Sequence, residues 1–80
     1  MTTRVEIHYC HSCGLLPRAV WMAQELLNSF EDRLGEIALL PAAAGVFEIR
    51  LDGERLHSRD HDGGFPEPRT MKQAIQARLC

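Results

Sequence analysis

Two cysteines at positions 10 and 13, separated by His11 and Ser12, are the side chains in this sequence best suited to covalent chemistry. Thiols with two residues between them can close into a small disulfide and reopen by exchange with an outside thiol. That chemistry asks for a thiolate on one sulfur, solvent access to it, and a second thiol to resolve a mixed disulfide. Cys10, ending an alternating apolar segment, is the first choice for the attacking thiol, and Cys13, opening a helical pattern, for the resolving one. His11 and Ser12 lie between them as modulating side chains. As a cation His11 would favour the thiolate, as a neutral ring it would shuttle a proton, and its plain reading is a solvent-exposed loop residue. The competing role for the pair is half of a zinc site, which needs about four ligands. His8, His11, His57, His61 and Cys80 are available as completions, but none repeats the Cys-x-x-Cys spacing, so no metal is expected.

The elements on either side must position these sulfurs. Residues 4–9 alternate strictly, with Val5, Ile7 and Tyr9 on one side and Arg4, Glu6 and His8 on the other, which predicts a half-buried strand. From Leu16 to Leu34 the apolar positions Leu16, Ala19, Val20, Ala23, Leu26, Leu27, Phe30 and Leu34 recur at helical spacing. Pro17 suits only the first turn, so the helix should begin between Cys13 and Pro17, and Gly35 should end it. Ile37–Leu40 reads as a short buried strand stopped by Pro41. Asp52-Gly53 predicts a two-residue hairpin. Its register sets Leu51 against Glu54, Ile49 against Leu56 and Phe47 against Ser58. On the wet face Arg50 meets Arg55, Glu48 pairs with His57, and Val46 meets Arg59. A last helix starts near Arg69, with Thr70 and Gln73 at capping-box spacing and Met71, Ala74, Ile75 and Leu79 as its apolar stripe.

The order is therefore β-α-β-β-β-α, an α+β two-layer sandwich in one domain spanning residues 1–80. The first two strands should be parallel, joined by a right-handed crossover, and both helices should cover one face of a four-stranded mixed sheet. The redox pair then sits between a strand end and a helix N-terminus, where about half a positive charge favours a thiolate. Such placement marks a thioredoxin-like site, here without the helix that would cover the sheet's other face.

Composition narrows the classes further. A net charge of −2 with interspersed signs provides no basic stripe for nucleic acid or an acidic membrane surface. There is no charged-then-apolar leader and no apolar run near 18 residues, so the chain reads as soluble and unprocessed, with the cytoplasm as its expected compartment. Three cysteines is an odd count, which argues against a secreted disulfide framework. Cys80, the last residue, reads as an incidental thiol on a monomer; its sharper reading is a disulfide-linked dimer on oxidation.

At this point the motifs become specific. Tyr9-Cys10-x-x-Cys13, Gly45-Val46-Phe47-Glu48-Ile49, Asp52-Gly53, Leu56-His57-Ser58-Arg59 and Asp62-Gly63-Gly64-Phe65-Pro66, in that order, resemble the selenoprotein W family, the SelT/SelW/SelH or Rdx group. The stretch from Trp21 to Leu27 and the Leu34-Gly35-Glu36 junction resemble its bacterial members. The resemblance implies a thioredoxin-like fold, a thiol redox role in cell redox homeostasis, and glutathione or a thiol-bearing protein as the exchange partner, with no bound cofactor. Selenium-containing members carry selenocysteine at the position of Cys13, which leaves the reverse order of attack open. Ordinary thioredoxins set a cis-proline immediately before the strand facing the redox loop. Here Ala42-Ala43-Ala44-Gly45 separates Pro41 from that strand, which points to a narrower partner set than a general disulfide reductase has. The alternative function is a redox-gated protein-interaction module without turnover, docking through an apolar rim of Leu15, Leu16 and Phe65. Trp21, off the main helical stripe, and Phe65, on a glycine-rich loop, are the candidate partner contacts. The plain reading of each is packing: Trp21 at an edge, Phe65 capped into the core.

Overall fold

The computed structural model describes residues 3–79. Its elements are β1 (Arg4–Cys10), a 3-10 turn (His11–Cys13), α1 (Leu16–Phe30), a second 3-10 turn (Glu31–Arg33), β2 (Glu36–Ala42), β3 (Phe47–Leu51), β4 (Glu54–Ser58), a single-turn helix α2 (Arg59–Asp62) and α3 (Pro68–Leu79). The sheet order is β2-β1-β3-β4, with β1 parallel to β2 and antiparallel to β3. This is the expected β-α-β-β-β-α plan with one short helix added, and it is a thioredoxin-like α+β sandwich.

β1 is central, and its alternation has the anticipated result. Val5, Ile7 and Tyr9 are buried with Phe47, Ile49 and Leu51 of β3, under Ala19, Met22, Leu26 and Phe30 of α1 and Met71 and Ile75 of α3. Both long helices therefore cover the same face. The opposite face carries no helix among the described residues. It is dressed instead by charge: Glu6 takes Arg4 at 3.0 Å and His8 at 2.9 Å, and Glu48 takes Arg50 at 2.9 Å. These bonds, to His8 and then Arg4 for Glu6 and to Arg50 for Glu48, hold both carboxyls below the usual range.

Several boundaries differ from the sequence reading. α1 stops at Phe30, where Glu31 takes a positive φ of 49° and its N–H bonds Leu27 O. Gly35 caps nothing; its N–H donates to Thr3 O at 2.7 Å on the way into β2. Pro41 does not stop β2 but lies inside it, opposite Tyr9. β2 is an edge strand, half-buried and not fully buried, and an edge tolerates a residue that cannot donate. α3 starts at Pro68, with Met71 N–H on Glu67 O, so Thr70 and Gln73 lie within the helix and not at its cap. Proline's missing donor costs nothing at that first position.

The inward face of α1 also rotates. Met22 replaces Leu16, Val20 and Leu27, which remain 45%, 46% and 44% exposed. The helix carries two adjacent apolar stripes, and only contact with the sheet selects between them. Accordingly Leu26→Ala should lower stability by about 2–5 kcal/mol, a large share of the ~5–15 kcal/mol typical of a domain. Leu27→Ala should stay within about 0.5 kcal/mol. Urea unfolding midpoints of the two variants test this assignment.

Candidate redox site

The two sulfurs meet because β1 ends where the chain must turn. Cys10 is the last residue of β1; its N–H donates to Val46 O at 2.7 Å, and its register partner is Ala42 of β2. The chain then makes one 3-10 turn, and Gly14 reverses it with φ of 72°, a left-handed conformation that glycine adopts without a Cβ clash. Leu15 precedes α1 and its carbonyl accepts the N–H of Ala19 at 3.0 Å. This compact turn brings the Cα atoms of Cys10 and Cys13 to 5.4 Å, and the sulfurs are bonded.

The pair is not symmetric. Cys10 has no exposed surface, whereas Cys13, like His11 and Ser12, is exposed. Exposure thus differs from what the strand-end position suggested: Cys13 is the accessible residue and Cys10 the sheltered one. The reason is tertiary. Cys10 is hemmed in by β2 and the residue preceding β3, while Cys13 stands on the outer side of the turn. Ser12 Oγ lies 3.4 Å from Cys10 Sγ, and against a disulfide sulfur the hydroxyl is the donor. His11 makes no hydrogen bond or ion pair among the described residues. Nor do three or more His, Cys, Asp or Glu side chains among those residues converge as a metal site would require.

The remaining candidates divide. Trp21 is 46% exposed and, with Gly14, Leu15, Pro17 and Arg18, lines a cleft of about 420 Å³ beside the turn. Phe65 is half-buried and packs edge-on against Phe47, ring centroids 5.5 Å apart. It caps the core and is not a free loop tip. Arg18, not singled out in the sequence, and Arg59, named there only within a family motif and opposite Val46, place their guanidinium carbons 4.0 and 4.8 Å from its centroid. Their separation in sequence hides their shared contact with Phe65. Cys80 lies outside the described residues.

His57 does not pair with Glu48. A β-bulge between Ile49 and Arg50 sets Ile49 opposite His57 and Glu48 opposite Ser58, leaving Leu56 as the extra residue and shifting every later partner. The strand also ends at Ser58, so Arg59 begins α2 and does not oppose Val46. His57 Nε2 instead donates to Gly64 O at 3.1 Å, and Asp62 Oδ2 accepts the Ser58 N–H at 2.9 Å. Together these fold the segment that delivers Phe65.

The fold and the bonded pair define a thioredoxin-like domain with a disulfide-bonded Cys-x-x-Cys turn. The chain belongs to the Rdx family, whose model matches residues 4–77. It is 27% identical over 82 residues to selenoprotein W of Danio rerio, covering 99% of this chain and 93% of that protein. It is 28% identical over 78 residues to migration and invasion enhancer 1 of Bos taurus, covering 91% of this chain but spanning only 62% of the bovine protein. A crystal structure of a selenoprotein W-related protein from Vibrio cholerae superposes with a TM-score of 0.96 at 35% identity, covering 100% of both chains. One of a Bordetella parapertussis protein gives 0.95 at 47% identity, covering 98% of this chain and 99% of that one. Family and geometry together mark a redox-related protein. No helix among the described residues is long and apolar enough to cross a membrane.

Two outcomes are expected. After full reduction, brief alkylation of a Cys80→Ser variant should label Cys13 well before Cys10, read by peptide mass. Labelling of Cys10 first would reverse the assignment. The Asp62 carboxyl is held below its ordinary range, chiefly by the Ser58 N–H and then by His61. A depressed carboxyl adds stability above its unfolded pKa and loses it as pH falls through the folded value. Asp62→Asn should therefore lower the melting temperature at pH 7, and the gap from wild type should close as the pH drops well below 4.

Proposed function

We propose that this is a cytoplasmic thiol-disulfide redox protein in which Cys13 exchanges with glutathione or with a thiol of a protein partner, and Cys10 resolves. The observation that carries this reading is the asymmetry of the pair: one cysteine exposed, one enclosed, the two sulfurs close enough to bond.

From the disulfide state, an incoming thiolate attacks Cys13 Sγ. The Cys10–Cys13 bond breaks, Cys10 leaves as a thiolate, and a mixed disulfide forms at Cys13. A second thiolate attacks the partner sulfur of that mixed disulfide, and the oxidised partner departs. Cys13 is left as a thiolate, and the two cysteines take up protons from solvent. Two thiols are oxidised to one disulfide while the protein gains two electrons; the reverse sequence oxidises the protein. Ser12 serves the leaving group, since its hydroxyl already reaches Cys10 Sγ and charge-assisted bonds are stronger than neutral ones.

Equilibration with glutathione buffers should give a single two-electron midpoint for closure of the pair. Ser12→Ala should move it about 10–30 mV more negative, the equivalent of a hydrogen bond worth ~0.5–1.5 kcal/mol. Cys10→Ser should accumulate a mixed disulfide at Cys13, and Cys13→Ser at least about tenfold less, because Cys10 is enclosed.

The exposed Leu16, Val20 and Trp21 beside the turn favour a second reading, a redox-gated docking module without turnover. It predicts a noncovalent partner whose affinity changes with reductant. Failure of Cys10→Ser to form any covalent adduct, with glutathione or with protein thiols, would refute exchange chemistry and leave that module standing.

A further inference from the structure

β2 is bonded to β1 on one side, and among the described residues its other side faces no strand. Successive residues of a strand send their backbone groups alternately to the two sides. Glu36 N–H donates to Thr3 O at 3.2 Å, and Glu36 lies opposite Arg4, so the even-numbered residues of β2 bond β1. Ile37, Leu39 and Pro41 therefore turn theirs outward, and of these the proline has no N–H to offer. Such an edge is a template for another strand.

The helix beside that edge is apolar on the same side. Glu25 of α1 holds Lys72 of α3 at 3.2 Å, and Arg78 of α3 bonds Glu54 of β4. α3 thus flanks α1 on the side towards β4. With about 3.6 residues per turn, Leu16, Val20, Ala23 and Leu27 run along the opposite flank, towards β2. Leu16, Val20 and Leu27 are exposed, and Ile37 and Leu39 of the strand are half-buried. Helix and strand make one apolar border.

Both parts of the border are self-complementary. The stripe reads the same from either end, since Val20 lies as far from Leu16 as Ala23 from Leu27. An antiparallel second copy therefore sets Leu16 against Leu27 of its partner and Val20 against Ala23, the reciprocity that a twofold axis demands. Pairing β2 about Leu39 uses every outward donor: Leu39 N–H meets the partner's Leu39 carbonyl, and Ile37 N–H the partner's Pro41 carbonyl. The donor that proline lacks falls at the ends of the pairing. Glu36, the one charged residue of β2, comes opposite Ala42 of the partner, so like charges do not meet. Spacing agrees as well. Strands lie about 4.8 Å apart, so a helix packed on β1 and β2 stands about 5 Å from the axis. The two copies of α1 are then about 10 Å apart, at the separation of packed helices.

We infer that this protein forms a twofold homodimer through β2 and the Leu16-Val20-Ala23-Leu27 flank of α1, joining two four-stranded sheets into one. The axis sets the redox turns at opposite ends of the shared border. Trp21, about a third of a turn round α1 from the stripe, stays outside it. The assembly does not depend on the exchange chemistry proposed above.

Sedimentation of the Cys80→Ser protein in reductant excludes disulfide-linked dimers. Its mass should double from the 9.0 kDa of one chain as concentration rises from about 1 μM to about 1 mM. Over that range the Ile37 and Leu39 amides should gain protection from hydrogen exchange, and those of Ala38 and Leu40, already bonded to β1, should change far less. This readout needs no further variant. L16K/L27K, which opposes like charges across the axis, should weaken association at least about tenfold. L16E/L27K, which opposes unlike charges, should lie between it and the parent and weaken as salt rises. Both positions are exposed, so urea midpoints taken at the lowest concentration should stay close to the parent's and show the fold intact. A mass that remains that of one chain up to about 1 mM overturns the inference and leaves the edge to an extended segment of another protein. Doubling without protection of Ile37 and Leu39, or doubling indifferent to L16K/L27K, overturns it too, because the copies then meet elsewhere.

Discussion

Everything at the redox turn depends on where β1 is held. Its odd-numbered residues Val5, Ile7 and Tyr9 are driven under the helices by the loss of apolar surface from water, and pairing with β2 and β3 on both edges removes its freedom to slide. A one-residue slip would turn the whole buried set to the opposite face. With the register pinned, Cys10 has one possible location, between Ala42 and Val46. The rest of the turn is then short enough that Cys13 has little choice but to return to it. The chemistry thus rests on the strand before the motif as much as on the motif.

Enclosing one thiol and exposing the other separates two jobs that a symmetric pair would confuse. In the proposed exchange an outside disulfide enters at Cys13 and Cys10 acts intramolecularly, where proximity replaces concentration. Ser12 fits the same division, because its hydroxyl serves the enclosed sulfur and not the exposed one. Attack through the second cysteine also agrees with the place that selenium takes in selenium-containing members of the family.

The segment after β4 shows how a remote stretch reaches the site. The β-bulge re-aims His57 toward Gly64, Asp62 closes the single turn of α2, and Phe65 is delivered edge-on to Phe47. This brings the guanidinium of Arg59 to the same ring as that of Arg18, forty-one positions earlier in the chain. The motif at residues 56–66 is therefore architecture for the redox face and not a flexible presenting loop. Meanwhile the bare face of the sheet is held in water by alternating charges, which makes a second helical layer unnecessary for solvation.

Local pattern determined a great deal here. Strict alternation in residues 4–9, the turn demanded by Asp52-Gly53, the helical spacing after Pro17 and the Cys-x-x-Cys at a strand-helix junction carried the fold, the topology and the reactive pair. Those signals depend on neighbours a few residues away, which a linear reading can see. Tertiary contact decided the rest. It selected Ala19-Met22-Leu26-Phe30 over the equally apolar stripe containing Leu16, Val20 and Leu27, because only docking on the sheet distinguishes two adjacent stripes. It kept Pro41 inside a strand because that strand is at an edge. It inserted a bulge that moved His57 from Glu48 to Gly64, enclosed Cys10 in place of Cys13, and drew Arg18 and Arg59 to one ring. Burial and long-range pairing are properties of the assembled layers, and no spacing along the chain encodes which atom ends in water.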